Sequence, residues 1–340
     1  MRIFNVMMSR DLGGIQQAYA DYSDALKMQG HEVINITSIF ALINRKSPAR
    51  HSLLNLAPWC FLSRLYLWLL VVIYKPDLII CHGNRAISFS IYHKLKDIPI
   101  IGVAHNYSYK YLRKCDYVFT VTSKLKEYLI EQGFDAKRLM IVPNMVKIQK
   151  KYKTPIYRKP VIIGSFGRFV TKKGFTYLIE AIKLLNQNGC QVKLILGGDG
   201  KNKHSLVKQV QDLRLANDVI FHGWVTDKKQ FFSKIDLFCL PSIEEPFGII
   251  LLEAMEYSKP IVATKSGGPE EIIRNSIDGL LAEAGSSVDL ADKLQAVISN
   301  QSNTENLTKS AYNRLHDSYD IKVVSIKLSS ILNKIKKHEL

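Results

Sequence analysis

The sequence predicts an α/β protein made of two doubly wound, Rossmann-like domains. Three observations carry that prediction. Short β-rich apolar runs recur between helix-length segments, the alternation runs twice along the 340 residues, and a polar, basic connector separates the two series. Strands spaced by helical segments make βαβ units and a parallel sheet. A single hydrophobic core stops growing near about 250–300 residues, so a chain of this length suits two cores.

The first series has strands at Ile3–Met8, Val33–Thr37, Leu78–His82, Ile100–His105, Tyr117–Thr122 and Met140–Pro143. Helical periodicity falls at Ile15–Gln29 and Lys124–Gln132, with Gly30 a C-cap of the first. The connector is Lys147–Lys159, with Pro155 inside it and Pro160 after it. The second series has strands at Val161–Phe166, Val192–Gly197, Val219–His222, Leu237–Pro241, Ile261–Thr264 and Leu280–Ala282. Its helices are expected at Gly174–Asn186, Lys203–Leu215, Asp227–Lys234, Gly248–Tyr257 and Ser287–Ser299, Gly189 capping the first. From Ile321 to Lys337 a basic amphipathic segment sets Val324, Ile326, Leu328, Ile331, Leu332 and Ile335 broadly on one helical face. The domains are therefore drawn as 1–156 and 157–318, followed by a C-terminal helix within 319–340.

Apolar residues make up 47% and charged residues 23%, an ordinary globular composition. The five cysteines are odd in number, scattered and free of any CxxC pair, which argues against a disulfide framework or a zinc site and predicts a reducing cytosol. The run Ile3–Met8 is too short for the apolar region of a secretory signal. The most apolar stretch, Trp59–Tyr74, follows Pro58, is interrupted by Arg64 and ends at Lys75-Pro76. Its uninterrupted part is about half of the ~20 residues that span a bilayer. It reads as a buried helix or as one resting in a membrane interface. Net charge is +17, with 20 Lys/Arg against 10 Asp/Glu in residues 1–150. Such a surface attracts phosphates. No helix-turn-helix, zinc finger or RNP-like strand accompanies it, so nucleic acid is not an expected partner and an anionic membrane or acceptor is.

In open α/β sheets ligands bind beyond the carboxyl ends of the strands. The residues there are the informative ones. Asp11-Leu12-Gly13-Gly14-Ile15 follows the first strand. It lacks the GxGxxG spacing and is either a tight turn or a place where backbone approaches an anion. His105, with Asn106, ends its strand and is either structural or able to bond a substrate hydroxyl and move a proton. Gly167-Arg168-Phe169-Val170-Thr171-Lys172-Lys173-Gly174 sets two cations, Arg168 and Lys173, around a loop that opens a helix, a good diphosphate site. Gly197-Gly198-Asp199-Gly200 reads as a turn, and His222-Gly223-Trp224-Val225 as exposed backbone able to read a base. In Pro241–Ala254, Glu245 precedes a helix and Glu253 lies inside it, with the amides of Gly248, Ile249 and Ile250 between them. A glutamate among Leu251, Leu252 and Ala254 needs a partner when buried, which sugar or ribose hydroxyls would supply. Gly267-Gly268-Pro269-Glu270-Glu271 makes a further glycine turn.

GRF…KKG, GGDG, HGWV, PSIEEPFG, the Glu245-x7-Glu253 spacing and GGPEEI, in that order, resemble a GT-B glycosyltransferase of family 4 (glycosyl transferases group 1). The resemblance covers the chain in outline and is strongest over 160–285. It implies two Rossmann-like domains facing a central cleft, and a metal-independent, retaining transfer from a nucleotide-sugar with no cofactor. By position, Arg168 and Lys173 would bind the diphosphate. Glu245 would hold sugar hydroxyls near the reacting centre, and Glu253 the ribose. Gly248, Ile249 and Ile250 would offer amides, Gly14 would let the first domain approach the donor, and His105 matches the family's histidine near the transferred sugar. The C-terminal helix would pack back on the first domain. No nucleophile is identified; in such families the acceptor hydroxyl is proposed to attack on the leaving group's face. Asn144-Met145 departs from the Asn-Gly common in relatives. The expected acceptor is a glycan or lipid-linked glycan, in lipopolysaccharide or surface-polysaccharide biosynthesis, met in the cytoplasm or on the inner face of the plasma membrane. Another GT-B enzyme, such as an epimerase or phosphorylase, and a non-catalytic nucleotide-sugar-binding scaffold are the competing readings.

Overall fold

The computed structural model describes residues 1–9, 13–42, 49–54, 60–91, 98–337 and 339. Asp11 and Leu12 of the first glycine turn, and Pro58 and Trp59 of the apolar stretch, lie outside them. The chain divides into two compact units: Met1–Lys147 with Ser318–Leu340, and Ile148–Asp317. The division falls after Lys147, the first residue of the connector, and the rest of the connector belongs to the second unit.

Unit 1 contains β1 (Arg2–Met7), α1 (Gly14–Met28), β2 (Glu32–Ser38), β3 (His51–Leu53), α2 (Phe61–Tyr74), β4 (Leu78–His82), α3 (Asn84–Ser90), β5 (Ile100–Ala104), β6 (Tyr117–Thr120), α4 (Ser123–Glu131) and β7 (Leu139–Ile141). Its sheet is parallel in the order β3-β2-β1-β4-β5-β6-β7. The strands are buried almost end to end, as expected when helices cover both faces of a parallel sheet. Unit 2 contains β8 (Val161–Phe166), α5 (Phe175–Gln187), β9 (Val192–Gly197), α6 (Lys203–Asp212), β10 (Val219–Gly223), α7 (Lys228–Lys234), β11 (Leu237–Leu240), α8 (Ile249–Glu256), β12 (Ile261–Thr264), α9 (Gly268–Ile272), β13 (Leu280–Ala282) and α10 (Ser287–Ser299). Its sheet is parallel in the order β10-β9-β8-β11-β12-β13. In both sheets the order reverses beside the first strand, giving switch points at β1/β4 and β8/β11.

The long helix α11 (Gln301–Tyr319) leads to α12 (Ile321–Lys336), whose Asp320 side chain caps its first turn. Ile321, Val324, Leu328, Leu332 and Ile335 of α12 join Tyr22, Ala25 and Leu26 of α1 and the inner face of β1, β4, β5 and β6 in one core. Gln29 Nε2 to Ser325 Oγ at 3.0 Å and Lys336 to Asp77 at 2.9 Å tie its flank. Apart from Ser63 and Arg64, α2 is apolar on both its inward and outward sides. Ser63, Leu67, Leu70 and Val71 face inward, while Phe61, Leu62, Leu65, Leu69, Val72 and Ile73 stay exposed. Among the described residues no helix is long and apolar enough to cross a membrane.

Candidate active site

The site in unit 2 is assembled by the loops that leave β8 and β11 at its switch point. The β8 loop ends at Gly174, which holds φ +65° and lies so close to β11 that a Cβ there would sit 1.9 Å from the Pro241 carbonyl oxygen. Only glycine permits that approach. The turn before it is sewn to the β11 loop: the Ile243 N–H donates to the Lys172 carbonyl at 2.8 Å. Consequently the Lys173 ammonium meets the Glu245 carboxylate directly. Ser242 Oγ donates to the same Glu245 oxygen at 3.3 Å.

Glu245 is only 8% exposed. Its own N–H donates to Ser266 O at 2.9 Å, and its carbonyl accepts from Gly268 N–H at 2.7 Å, so the β12 loop clamps it from the other side. Gly268 carries that clamp, because a Cβ would fall 2.3 Å from the Phe247 backbone. After Phe247 the chain passes through Gly248 at φ +94° into α8, whose first residues are Ile249 and Ile250. The first amides of a helix have no intrahelical acceptor, so this end is receptive to an anion.

Arg168 lies on the β8 loop, exposed, and its guanidinium has no partner among the described residues. In the same loop Lys172 pairs with Glu244 at 3.2 Å and Lys173 with Glu245. The glycine run after β9 supports this loop: Phe169 N–H donates to Asp199 O at 2.8 Å and Gly167 N–H to Gly197 O at 2.9 Å. The run therefore braces the cationic loop. At the end of β10, Gly223 has open space where a Cβ would lie, and Trp224 after it is exposed.

Glu253 is buried within α8, as its apolar neighbours require, and its partner is Lys228 of α7, Nζ to Oε1 at 2.5 Å. Burial pushes its carboxyl above the ordinary range while Lys228 pulls the other way. Lys228 was not legible in the sequence, where it stands in an ordinary surface-like Asp-Lys-Lys run. Among the described residues no three His, Cys, Asp or Glu side chains group so as to hold a metal ion.

In unit 1, Gly14 opens α1 and is exposed. His105 follows β5 and is half-buried. Burial pushes it down to about 4. It is not isolated: its Nε2 lies 3.1 Å from His82 Nδ1, and His82 Nε2 lies 3.0 Å from Asn5 Oδ1 on β1. The two rings stack at 5.4 Å, and Tyr22 packs edge-on against His82 at 4.9 Å. His82 ends β4 just as His105 follows β5; that shared strand-end position was the signal available for it.

Doubly wound α/β proteins bind their ligands beyond the carboxyl ends of the strands at a switch point, which is where these loops join Lys173 to the buried Glu245 beside a helix start. Comparison with known proteins narrows the class. The model Glycosyltransferase Family 4 matches residues 12–150, and Glycosyl transferases group 1 matches 146–314. The chain belongs to this glycosyltransferase family and has the GT-B fold. It is 29% identical over 242 residues to the lipopolysaccharide core biosynthesis glycosyltransferase LpsE of Rhizobium meliloti, covering 67% of each chain. It is 26% identical over 253 residues to the poly(ribitol-phosphate) alpha-N-acetylglucosaminyltransferase of Staphylococcus aureus, covering 69% of this chain and 51% of that one. Among solved structures, Anabaena HepE in complex with UDP and glucose superposes with a TM-score of 0.84 at 22% identity, covering 98% of this chain and all of HepE.

Proposed function

We propose that this glycosyltransferase is a retaining enzyme that moves a sugar from a nucleotide-sugar to a glycan or lipid-linked acceptor, in lipopolysaccharide or surface-polysaccharide biosynthesis. The observation that carries the reading is the Lys173–Glu245 pair, set beside unpartnered Arg168 and the start of α8 at the β8/β11 switch point. Relatives that act on lipopolysaccharide core and on poly(ribitol-phosphate) support the acceptor class. A departing nucleoside diphosphate gains negative charge in the transition state. Arg168, Lys173 and the amides of Gly248, Ile249 and Ile250 are preorganised to stabilise that charge, so side-chain cations take the part a metal plays elsewhere. Glu245 positions the transferred sugar, Glu253 exchanges Lys228 for ribose hydroxyls, and His105 bonds a sugar hydroxyl. Gly14 gives unit 1 the open backbone that the family uses towards the donor. The exposed apolar face of α2, with Lys75 after it, suits peripheral contact with an anionic inner membrane face.

Melting curves with UDP, GDP, ADP, CMP and their sugar conjugates test the donor. A ligand at 100 times its Kd adds about 2.7 kcal/mol, which moves a domain of this size by roughly 2–4 °C per kcal/mol. One base should shift the transition, and Lys173→Ala should abolish the shift. No shift with any nucleotide would sink the donor reading and favour a non-catalytic scaffold.

A further inference from the structure

His82 and His105 of unit 1 lie at the end of a buried polar chain whose far end is unambiguous. Asn5 Nδ2 donates to the Tyr19 carbonyl at 3.0 Å and to Asn35 Oδ1 at 3.0 Å. Asn35 Nδ2 in turn donates to Ser23 Oγ at 2.7 Å. A backbone carbonyl only accepts, so the Asn5 amide can point only one way, with Oδ1 towards His82. That oxygen also only accepts, so His82 Nε2 carries the proton across the 3.0 Å contact. No carboxylate bonds either ring among the described residues, and burial holds both imidazoles neutral at pH 7. Neutral His82 therefore presents a bare Nδ1, and the hydrogen at 3.1 Å must come from His105 Nε2. The second ring nitrogen of His105, Nδ1, has no protein partner among the described residues and is not among the buried unsatisfied atoms, so it meets solvent.

We infer that His82 is a positioning residue that fixes His105 as its Nε2–H tautomer, leaving the His105 Nδ1 lone pair open to accept a hydrogen bond from a substrate hydroxyl. The substrate clause rests on the function proposed above; the tautomer does not. Asn5 at mid-strand in β1, His82 at the end of β4 and His105 after β5 are neighbours because of the strand order, so the relay crosses the unit 1 switch point.

The test is a two-bond 1H–15N correlation spectrum of the full chain labelled with 15N-histidine at pH 7, His105 being assigned with His105→Asn. The expected spectrum gives His105 a pyrrole-like Nε2 and a pyridine-like Nδ1. His82→Phe removes the acceptor and should move His105 towards the other tautomer. His82→Gln should keep it, because the glutamine amide can donate to Asn5 and accept from His105. A wild-type His105 protonated at Nδ1, or a His82→Phe spectrum unchanged at His105, overturns the inference. If His82→Phe does not fold, the wild-type and His82→Gln spectra decide. With transfer as the second readout, His82→Phe should lower kcat on the order of ten-fold, the scale seen for outer partners of metal-binding histidines, and His82→Gln should recover most of it. Loss of the tautomer without loss of kcat overturns the hydroxyl role. Absence of transfer in the wild type would instead strike the proposed function and leave the tautomer standing.

Discussion

Glu245 is held by four groups from three loops, and that determines what its replacement reports. Glu245→Gln keeps the backbone bonds to Ser266 and Gly268 but removes the charge that meets Lys173. Transfer should fall by about 10²-fold or more, on the scale of losing one preorganised electrostatic group, while nucleotide still shifts the melting curve. Equal rates in both proteins would remove Glu245 from the chemistry. Gly174→Ala attacks the same pair from behind, by pushing the β8 loop off Pro241. It should cost about 1–3 kcal/mol of stability, as strained left-handed positions do, and weaken nucleotide binding as Lys173 moves. A stability loss with intact binding would show that Lys173 is not positioned through this contact. At this scale, the acidic and cationic strand-end residues were legible because unusual residue types interrupt apolar or glycine-rich runs. Lys228 and His82 were not, because each becomes meaningful only through a partner 25 or 23 residues away.

At the scale of elements, period and punctuation exposed nearly all the strands and the amphipathic helices. β3 and α11 escaped for different reasons. β3 is three residues, His51–Leu53, too short to show alternation. The inward stripe of α11 is Thr304, Leu307, Thr308, Ala311, Leu315 and Tyr319, and its threonines and alanine hide a regular helical period from any count of apolar residues. The stretch read as a buried or interfacial helix is α2, and apolar residues on both its inward and outward sides leave the inward face unmarked by any period. Phe61 is 72% exposed and Ile73 66%, so the outward side of the helix presents apolar surface among the described residues. Replacing Leu62 and Ile73 together by Gln should release the protein from anionic vesicles at low salt in a flotation assay and leave its melting curve unchanged. If wild type and variant float alike, or neither floats, α2 is not a membrane contact.

For the whole molecule, the His82–His105 pair sets a pH dependence. His105 titrates at about 4 when folded against 6.5 ordinarily, and His82 is also depressed. Between those values the unfolded chain holds protons that the folded chain refuses, so stability rises with pH there. It should be full above about pH 6.5 and decline as pH falls towards about 4. Melting curves from pH 7.5 to 4.5 check this, and His82→Gln should show the shallower decline; an identical slope in the two proteins would contradict it.

Unit 1 is also discontinuous in sequence: its last segment, Ser318–Leu340, is made after all of Ile148–Asp317. The second unit is thus a guest between the two pieces of its host. A ribosome finishes the guest while the host still lacks α12, whose five aliphatic side chains complete the first core. At about 1.5–3 kcal/mol for each buried aliphatic, that deficit is on the order of 10 kcal/mol, comparable to the entire stability of a domain. A chain ending at Asp317 should therefore keep the melting transition of unit 2 and lose that of unit 1, damage at the last residues surfacing in the first domain. The unit whose synthesis begins first is the last to have its core complete.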